Sequence, residues 1–385
     1  MSNQKSKMIS IFCGAGCFDL GFETAGFETL LAIDSDKDCC ATVKLNRNWN
    51  VINLPVESIT TKELLKFSNL RRKELDLLVG APPCQPYSKC AHGVLGSPLG
   101  FDDDRAKTIN EYFRILEGLL PKAFVIENVP QFISGKNERV KDYIKRKIYN
   151  INTHNNTNYK ITFCKINSAW FGVPQLRERI FIIGSRDGYD FEIPEIRFLD
   201  NKNFENETET YRSSWDAIGH LSKSSKTNEN LKVGGKWAHL LKTIPPGANY
   251  HWHTQRGGGK EIFVWRSRYF NFLLKLNPLL PSWTIAAQPG SSTGPFHWEN
   301  RKLSIKELQV LQTIPEDYEF VGGAQSIRRQ IGNGVPSALG ELIGKEIRRQ
   351  FFGERVSSKN IKLIPNKKPI PKKIKCFSQF LELDL

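Results

Sequence analysis

No run of apolar residues in this chain approaches the roughly 20 needed to span a bilayer, which argues against a membrane-spanning protein. The polar start Met1-Ser-Asn-Gln-Lys-Ser-Lys7 lacks the apolar centre of a signal peptide, so a cytoplasmic location is expected. There is no Cys-x-x-Cys pair, and no two histidines stand at zinc-finger spacing, which argues against a structural metal. Most of the eight cysteines therefore read as reduced, buried, small hydrophobes. No internal repeat is visible, so a solenoid or propeller is not expected.

What is present begins with length and charge. A chain of 385 residues can bury a full core and has room for two domains. Its formal net charge of +15 points to a polyanionic partner such as nucleic acid, with a solvated basic surface as the plain alternative. The first half alternates short apolar runs with helical periodicity. Strands are predicted at residues 8–12, 28–33, 51–53, 75–79, 123–126, 159–164 and 179–184, with an intervening helix at 111–120. This order predicts an α/β fold with a doubly wound, mostly parallel sheet. From about residue 187 to 259 the chain turns polar, rich in Asn, Ser, Lys and Gly, with scattered Trp and His. Helical periodicity returns at 304–313 and 335–351, and the basic, proline-interrupted stretch 359–375 reads as a tail or extension.

Several motifs lie at predicted strand ends. Phe12-Cys-Gly-Ala-Gly-Cys-Phe-Asp-Leu-Gly21 follows the first strand, and Asp34 ends the second. Gly14 and Gly16 would let the backbone approach a ligand, and the acid could hold ribose hydroxyls; a simple turn is the plain alternative. Pro82-Pro-Cys-Gln-Pro86 places Cys84 on a stiffened turn after the fourth strand. Only a few per cent of a free thiol is thiolate at neutral pH, so a nucleophilic Cys84 needs a polar, partly positive setting. Glu127, at the end of the Ala123-Phe-Val-Ile126 run, could be solvated or salt-bridged; beside a thiol nucleophile it could serve as a general acid. In Phe171-Gly-Val-Pro-Gln-Leu-Arg-Glu-Arg-Ile-Phe181, Gln175, Arg177 and Arg179 alternate, so a strand would project them from one face, suited to a carbonyl, a phosphate or a carboxylate. Arg329-Gln-Ile-Gly-Asn-Gly-Val-Pro336 reads as a glycine-rich turn opening the last helix, with Asn333 or Ser337 as a candidate N-cap.

Taken in order, these motifs resemble those of the cytosine-5 DNA methyltransferases, over most of residues 8–186 and again over 281–350. His297-Trp-Glu-Asn-Arg301-Lys-Leu-Ser-Ile-Lys-Glu307 is similar to a further family motif. The resemblance implies S-adenosylmethionine as cofactor, and the glycine turn indeed lacks the full dinucleotide fingerprint. It also implies that Cys84 attacks carbon-6 of a cytosine, that Glu127 holds the ring nitrogen and amine, and that Arg177 and Arg179 steady the base carbonyl, Glu127 or a phosphate. Phe12, Gly14, Gly16, Asp34, Ser35, Ser58, Ile59, Pro82, Asn333 and Gly334 fall where the family holds cofactor. Gln85, Ser88, Cys90, Arg105 and Gln175 fall where DNA contacts are expected, and residues 88–105 would close over a base flipped from the stack. Cys17 departs from a usual glycine, Ser35 from an aromatic, Ser58 from an acid and Val310 from an arginine, which bears on cofactor affinity and leaves the reacting groups in place.

The implied organisation is a catalytic domain at 1–187, a target-recognition domain at 188–318, a return to the catalytic domain at 319–355 and a basic tail at 356–385. The candidate DNA-reading loop is Asn249-Tyr-His-Trp-His-Thr-Gln-Arg-Gly-Gly-Gly259, where glycines permit close approach and Gln255 or Arg256 could read base edges. The partners implied are double-stranded DNA and a cognate restriction endonuclease, with no membrane and a monomeric enzyme. One alternative is an RNA cytosine methyltransferase; its Cys-Phe-Thr signature is missing from the recognition region, the nearest string being Cys376-Phe-Ser. Another is a non-catalytic DNA-binding regulator, against which Cys84, Glu127 and the lack of a helix-turn-helix extension before residue 8 all weigh.

Overall fold

The computed structural model describes residues 5–83, 107–135, 138–199, 209–221 and 231–371. The chain alternates as the apolar runs predict: β1 (Ser6–Ile11), α1 (Cys17–Thr24), β2 (Phe27–Asp34), α2 (Lys37–Asn46), β3 (Asn50–Asn53), α3 (Thr61–Ser68), β4 (Leu77–Gly80), α4 (Lys107–Leu119) and β5 (Ala123–Asn128). Then come α5 (Arg139–Asn155), β6 (Lys160–Asn167), β7 (Gln175–Leu176) and β8 (Glu178–Ser185). Seven strands form one sheet in the order β3-β2-β1-β4-β5-β8-β6. The first five are parallel to one another, while β8 runs antiparallel to both β5 and β6. The strand order reverses between β1 and β4, so the crevice outside their carboxyl ends is the expected ligand site.

Period-2 alternation of apolar side chains sends each strand's residues into two cores. Ile9, Ile11, Leu78, Phe124 and Ile126 meet α3, α4 and α5 on one face. Met8, Val79 and Val125 meet α1 and the C-terminal helix on the other. Each fully buried Ile, Leu or Phe contributes about 1.5–3 kcal/mol. Both faces are covered, as parallel sheets require.

After β8 come short elements: β9 (Phe198–Leu199), β10 (Glu209–Thr210), α6 (Ser214–Ile218) and β11 (Ser282–Trp283), which pairs with β7. The chain then returns through α7 (Ile305–Leu311), α8 (Ala324–Asn333) and α9 (Ser337–Gln350). α9 crosses α1 at backbone contact. A methyl group on Gly21 would lie 2.0 Å from the Ser337 carbonyl oxygen, and one on Gly340 would lie 2.3 Å from that of Phe18. α7 also packs on the first helix, since Leu308 and Leu311 share a core with Cys17 and Leu20.

Two expectations are corrected. Residues 329–333 are the end of α8 rather than a turn, and neither Asn333 nor Ser337 caps the last helix, whose N-cap is Pro336. Ser337 instead donates its hydroxyl to the Cys17 carbonyl at 2.6 Å. The segment read as a basic tail is, through Pro371, a strap. Ile361 is buried in the α9 core, with Leu363 and Ile364 packed against it. Fully buried Glu341 accepts the backbone N–H groups of Lys362 and Leu363 at 2.9 and 3.0 Å and the Lys345 ammonium at 2.6 Å. Farther along, Asp216 accepts the Lys368 N–H, and the Trp215 indole donates to the Pro369 carbonyl, so the strap reaches α6. Lysine spacing alone does not reveal a carboxylate placed to receive its backbone.

Removing Glu341 leaves the Lys345 ammonium buried without its counter-ion, a change that costs about 3–5 kcal/mol. Glu341→Ala should therefore lower unfolding free energy by that order in denaturant titration and speed proteolytic cleavage within residues 356–366. Wild-type cleavage rates would show that the strap is not held by this carboxylate.

Candidate active site

The turn after β1 is built on left-handed backbone. Phe12, Gly14 and Gly16 have φ of 53°, 53° and 71°. Gly14 would meet nothing within 4 Å if it carried a Cβ, so open space lies beside it, and glycine takes this conformation without strain. The Asp34 carboxylate, at the end of β2, accepts from Gly14 N–H and Asp36 N–H, each at 2.8 Å. Burial, the larger effect, raises its pKa, while these bonds oppose that. Tyr318 closes the turn from the other side by donating to the Ala15 carbonyl at 2.8 Å. Ser35 and Ser58 are exposed nearby in the chain, Ile59 is buried, Asn333 is exposed and Gly334 half-buried. The departure at Cys17 is matched at Gly334, where a Cβ would lie 2.9 Å from the Cys17 sulfur. Burial pushes the Cys17 thiol up to about 12 and the Cys40 thiol up to about 11, so these are inert hydrophobes as expected.

β4 runs into Ala81, buried Pro82 and exposed Pro83, next to β5. Asn128, the residue after Glu127, donates its amide to the Pro82 carbonyl at 3.3 Å and so ties the two strand ends together. Its role was not apparent from the sequence, although its place in Glu-Asn-Val was the available signal. Cys84 follows immediately; it, Gln85, Ser88, Cys90 and Arg105 lie outside the described residues.

Glu127 is buried and forms an ion pair with Arg179, Oε1 to Nε 2.9 Å. Burial raises its pKa above the usual carboxylate range, and the Arg179 and Arg177 guanidinium groups work against that rise. Arg177 is deeper still: its Nη2 donates to the Gly332 carbonyl at 3.1 Å, while Nε and Nη1 have no partner among the described residues. Burial lowers the pKa of this guanidinium, helped by Arg179 and opposed by Glu127. The three-residue alternation therefore holds for the arginines but not as one continuous strand, because Arg177 sits between β7 and β8.

Gln175 turns elsewhere. It is fully buried, donates to the Gln312 side chain at 3.0 Å and accepts the Ile285 N–H at 3.1 Å, so it clasps the returning segments instead of facing a duplex. Gln312 carries the clasp on to the Ile331 carbonyl at 2.8 Å. The glycines at 257–259 also have a different task from the expected one: methyl groups there would strike the Trp252 ring or its backbone. Gln255 and Arg256 are exposed, with the Arg256 guanidinium 4.0 Å over the Trp265 ring.

Residues 6–349 match the model of the C-5 cytosine-specific DNA methylases. The chain belongs to that family. It is 33% identical over 381 residues to the type II methyltransferase M.SacI of Streptomyces achromogenes, covering 91% of this chain and 94% of that one. It is 31% identical over 338 residues to M.NgoFVII of Neisseria gonorrhoeae, covering 87% and 84%. The fold of this methylase aligns with the crystal structure of a Spodoptera frugiperda DNMT2 mutant at a TM-score of 0.61 and 15% identity, over 90% of this chain and 99% of that one, a likeness of fold alone. The methylase is thus a C-5 cytosine DNA methyltransferase, and its family implies a methyl donor of the S-adenosylmethionine type.

In this methylase the Glu127 carboxyl should titrate above an ordinary glutamate, and Arg179→Gln should raise its pKa further, because a cation that favours the charged form is removed. Carbon-13 NMR of labelled glutamate carboxyls, assigned with Glu127→Gln, checks both shifts. A fall on removing Arg179 would contradict the pairing.

Proposed function

We propose that the chain transfers a methyl group from S-adenosylmethionine to carbon-5 of a cytosine flipped out of double-stranded DNA, with Cys84 as nucleophile and Glu127 as the group that holds the base. The observation that carries this reading is the Glu127–Arg179 pair at the end of β5, joined through Asn128 to the Pro82 carbonyl just before Cys84. The turn fits the cofactor: Gly14 borders open space, and the Asp34 carboxylate stands at the same strand edge. Phe12, Gly14, Gly16, Asp34, Ser35, Ser58, Ile59, Pro82, Asn333 and Gly334 would hold it. When bound, S-adenosylmethionine supplies an electrophilic methyl group.

The Cys84 thiolate adds to carbon-6 of the ring. Glu127 holds the ring nitrogen and the exocyclic amine, so electron density gathers at carbon-5. Arg179 keeps Glu127 oriented, and Arg177, whose Nε and Nη1 have no partner among the described residues, would stabilise a developing negative charge on the base carbonyl. After carbon-5 is methylated it loses its proton, and elimination of the Cys84 sulfur restores the aromatic ring. Gln85, Ser88, Cys90 and Arg105 would contact DNA around the extruded base, and residues 188–318 would contain the recognition unit, where Gln255 and Arg256 are accessible. Both cited relatives are named type II methyltransferases, which supports a protective role beside a restriction endonuclease in a bacterial cytoplasm. The enzyme acts as a monomer in this reading.

Labelled methyl transfer to DNA but not to tRNA is expected. DNA containing 5-fluorocytosine should trap a complex that survives denaturation, because fluorine cannot leave as a cation in the elimination; Cys84→Ala should trap none. Methylation by the alanine variant would remove Cys84 from its role. Asp34→Ala should weaken S-adenosylmethionine binding by about 1.5–3 kcal/mol, the worth of a hydrogen bond to a charged group, with a smaller effect on turnover at saturating cofactor. Calorimetry reads the affinity, and an unchanged value would place the ribose elsewhere.

A further inference from the structure

Between the segment that leaves β11 and helices α7 and α8 lies a cleft of about 630 Å³, counted with its solvent-open mouth. Lys302 and Arg328 line it together with Ser291 and Thr293, over apolar walls that include Ile285 and Phe296. No carboxylate lines it among the described residues. Arg328 is half-buried and gives Nη2 to the Leu303 carbonyl at 3.0 Å; no carboxylate pairs with either cation among the described residues. Two cations beside two hydroxyl groups, with apolar surface behind them to lower the local dielectric, form a site for a compact anion.

The cleft shares a wall with the active site. Ile285 N–H is held by Gln175. A methyl group on Gly332 would lie 2.5 Å from the Ala287 backbone, so residues 286–287 rest directly on Gly332. The Gly332 carbonyl in turn receives Arg177. The chain of contacts from the cleft wall to the Arg177 guanidinium thus runs through residues 286–287 and Gly332.

We propose that this cleft seats a backbone phosphate of the duplex next to the extruded base, with Lys302 and Arg328 as its cationic partners. The inference rests on the functional reading above and adds a binding site to it. A phosphodiester matches the donors: both charges can meet its two free oxygens, and the hydroxyls of Ser291 and Thr293 can complete the set. The contact carries no base information; it sets the register of the strand while specificity is read elsewhere.

The test is the salt dependence of binding to a fluorescent duplex of random sequence, followed by methylation of a site library. Lys302→Ala with Arg328→Ala should reduce the slope of log affinity against log salt by about 0.9, the value for one lost phosphate contact. KM for DNA should rise by a larger factor than kcat falls, and the preference among site variants should keep its shape. In the Lys302→Ala background Arg328→Lys, which retains the charge, should restore most of the slope relative to Arg328→Ala; if Arg328→Ala does not fold, Lys302→Glu, which reverses one of the two charges, carries the test and should lower the slope. An unchanged slope in soluble variants would overturn the proposal. So would a preference altered at a single base pair, which marks base reading. Orthophosphate titrated by calorimetry covers the free-anion case: binding lost in the double variant with the DNA slope intact would mean a small-anion site and would also overturn it. If the wild-type enzyme transfers no methyl group to DNA, the functional reading fails; if it does and the slope is unmoved, only the phosphate seat fails.

Discussion

The crossing of α1 and α9 is the constraint on which the rest of the structure depends. Gly21 and Gly340 bring two helix backbones into contact, because any side chain at either position would meet a carbonyl or main-chain atom. That close approach carries the end of the chain back over its first strand. It sets Ser337 against the Cys17 carbonyl and brings Gly334 to the Cys17 sulfur. Tyr318 then reaches the Ala15 carbonyl, so the glycine turn that would hold the cofactor is braced by residues some three hundred positions away. A turn of this kind has few contacts of its own, and its geometry comes from what packs behind it.

Buried charge joins the remaining parts. Arg301 grips Glu307 through two hydrogen bonds of 2.6 and 2.7 Å at a site where the glutamate is fully enclosed. Glu341 joins Lys345 and the strap, and Glu127 joins Arg179. Each ion is costly to desolvate, and each is stable only while its partner remains. Such pairs tolerate little displacement, which suits joints between segments distant in sequence. The same logic separates the two arginines: Arg179 is paired with Glu127, whereas Arg177 Nε and Nη1 have no partner among the described residues.

Proximity accounts for the site as much as any single residue. β1 and β4 are neighbours at the reversal of strand order, and β5 lies beside β4. The glycine turn, the Pro82 segment and Glu127 therefore open on one edge of the sheet. The segment leaving β11 lies along that edge through Gln175 and Gly332, which joins residues 285–287 to the strand ends.

The sequence by itself determined the alternation of strands and helices, the sheet class and the strand-end positions of Asp34 and Glu127. These are local properties: apolar runs and their period, and polar residues where such runs end, need no partner to be read. It also held the ordered motifs that identify the family. Tertiary structure alone decided which side chains serve the site and which serve the scaffold. Gln175 reads in sequence as the equal of Arg177 and Arg179, yet it is a buried clasp, because its amide meets Gln312 and Ile285 from the returning chain. The glycines after Arg256 read as a loop open to DNA, yet they make room for the Trp252 ring. The basic end reads as a tail, yet its backbone is held by Glu341 and Asp216. In each case the deciding partner lies far along the chain or comes from a side chain's direction, and neither is encoded in the spacing of the residues themselves.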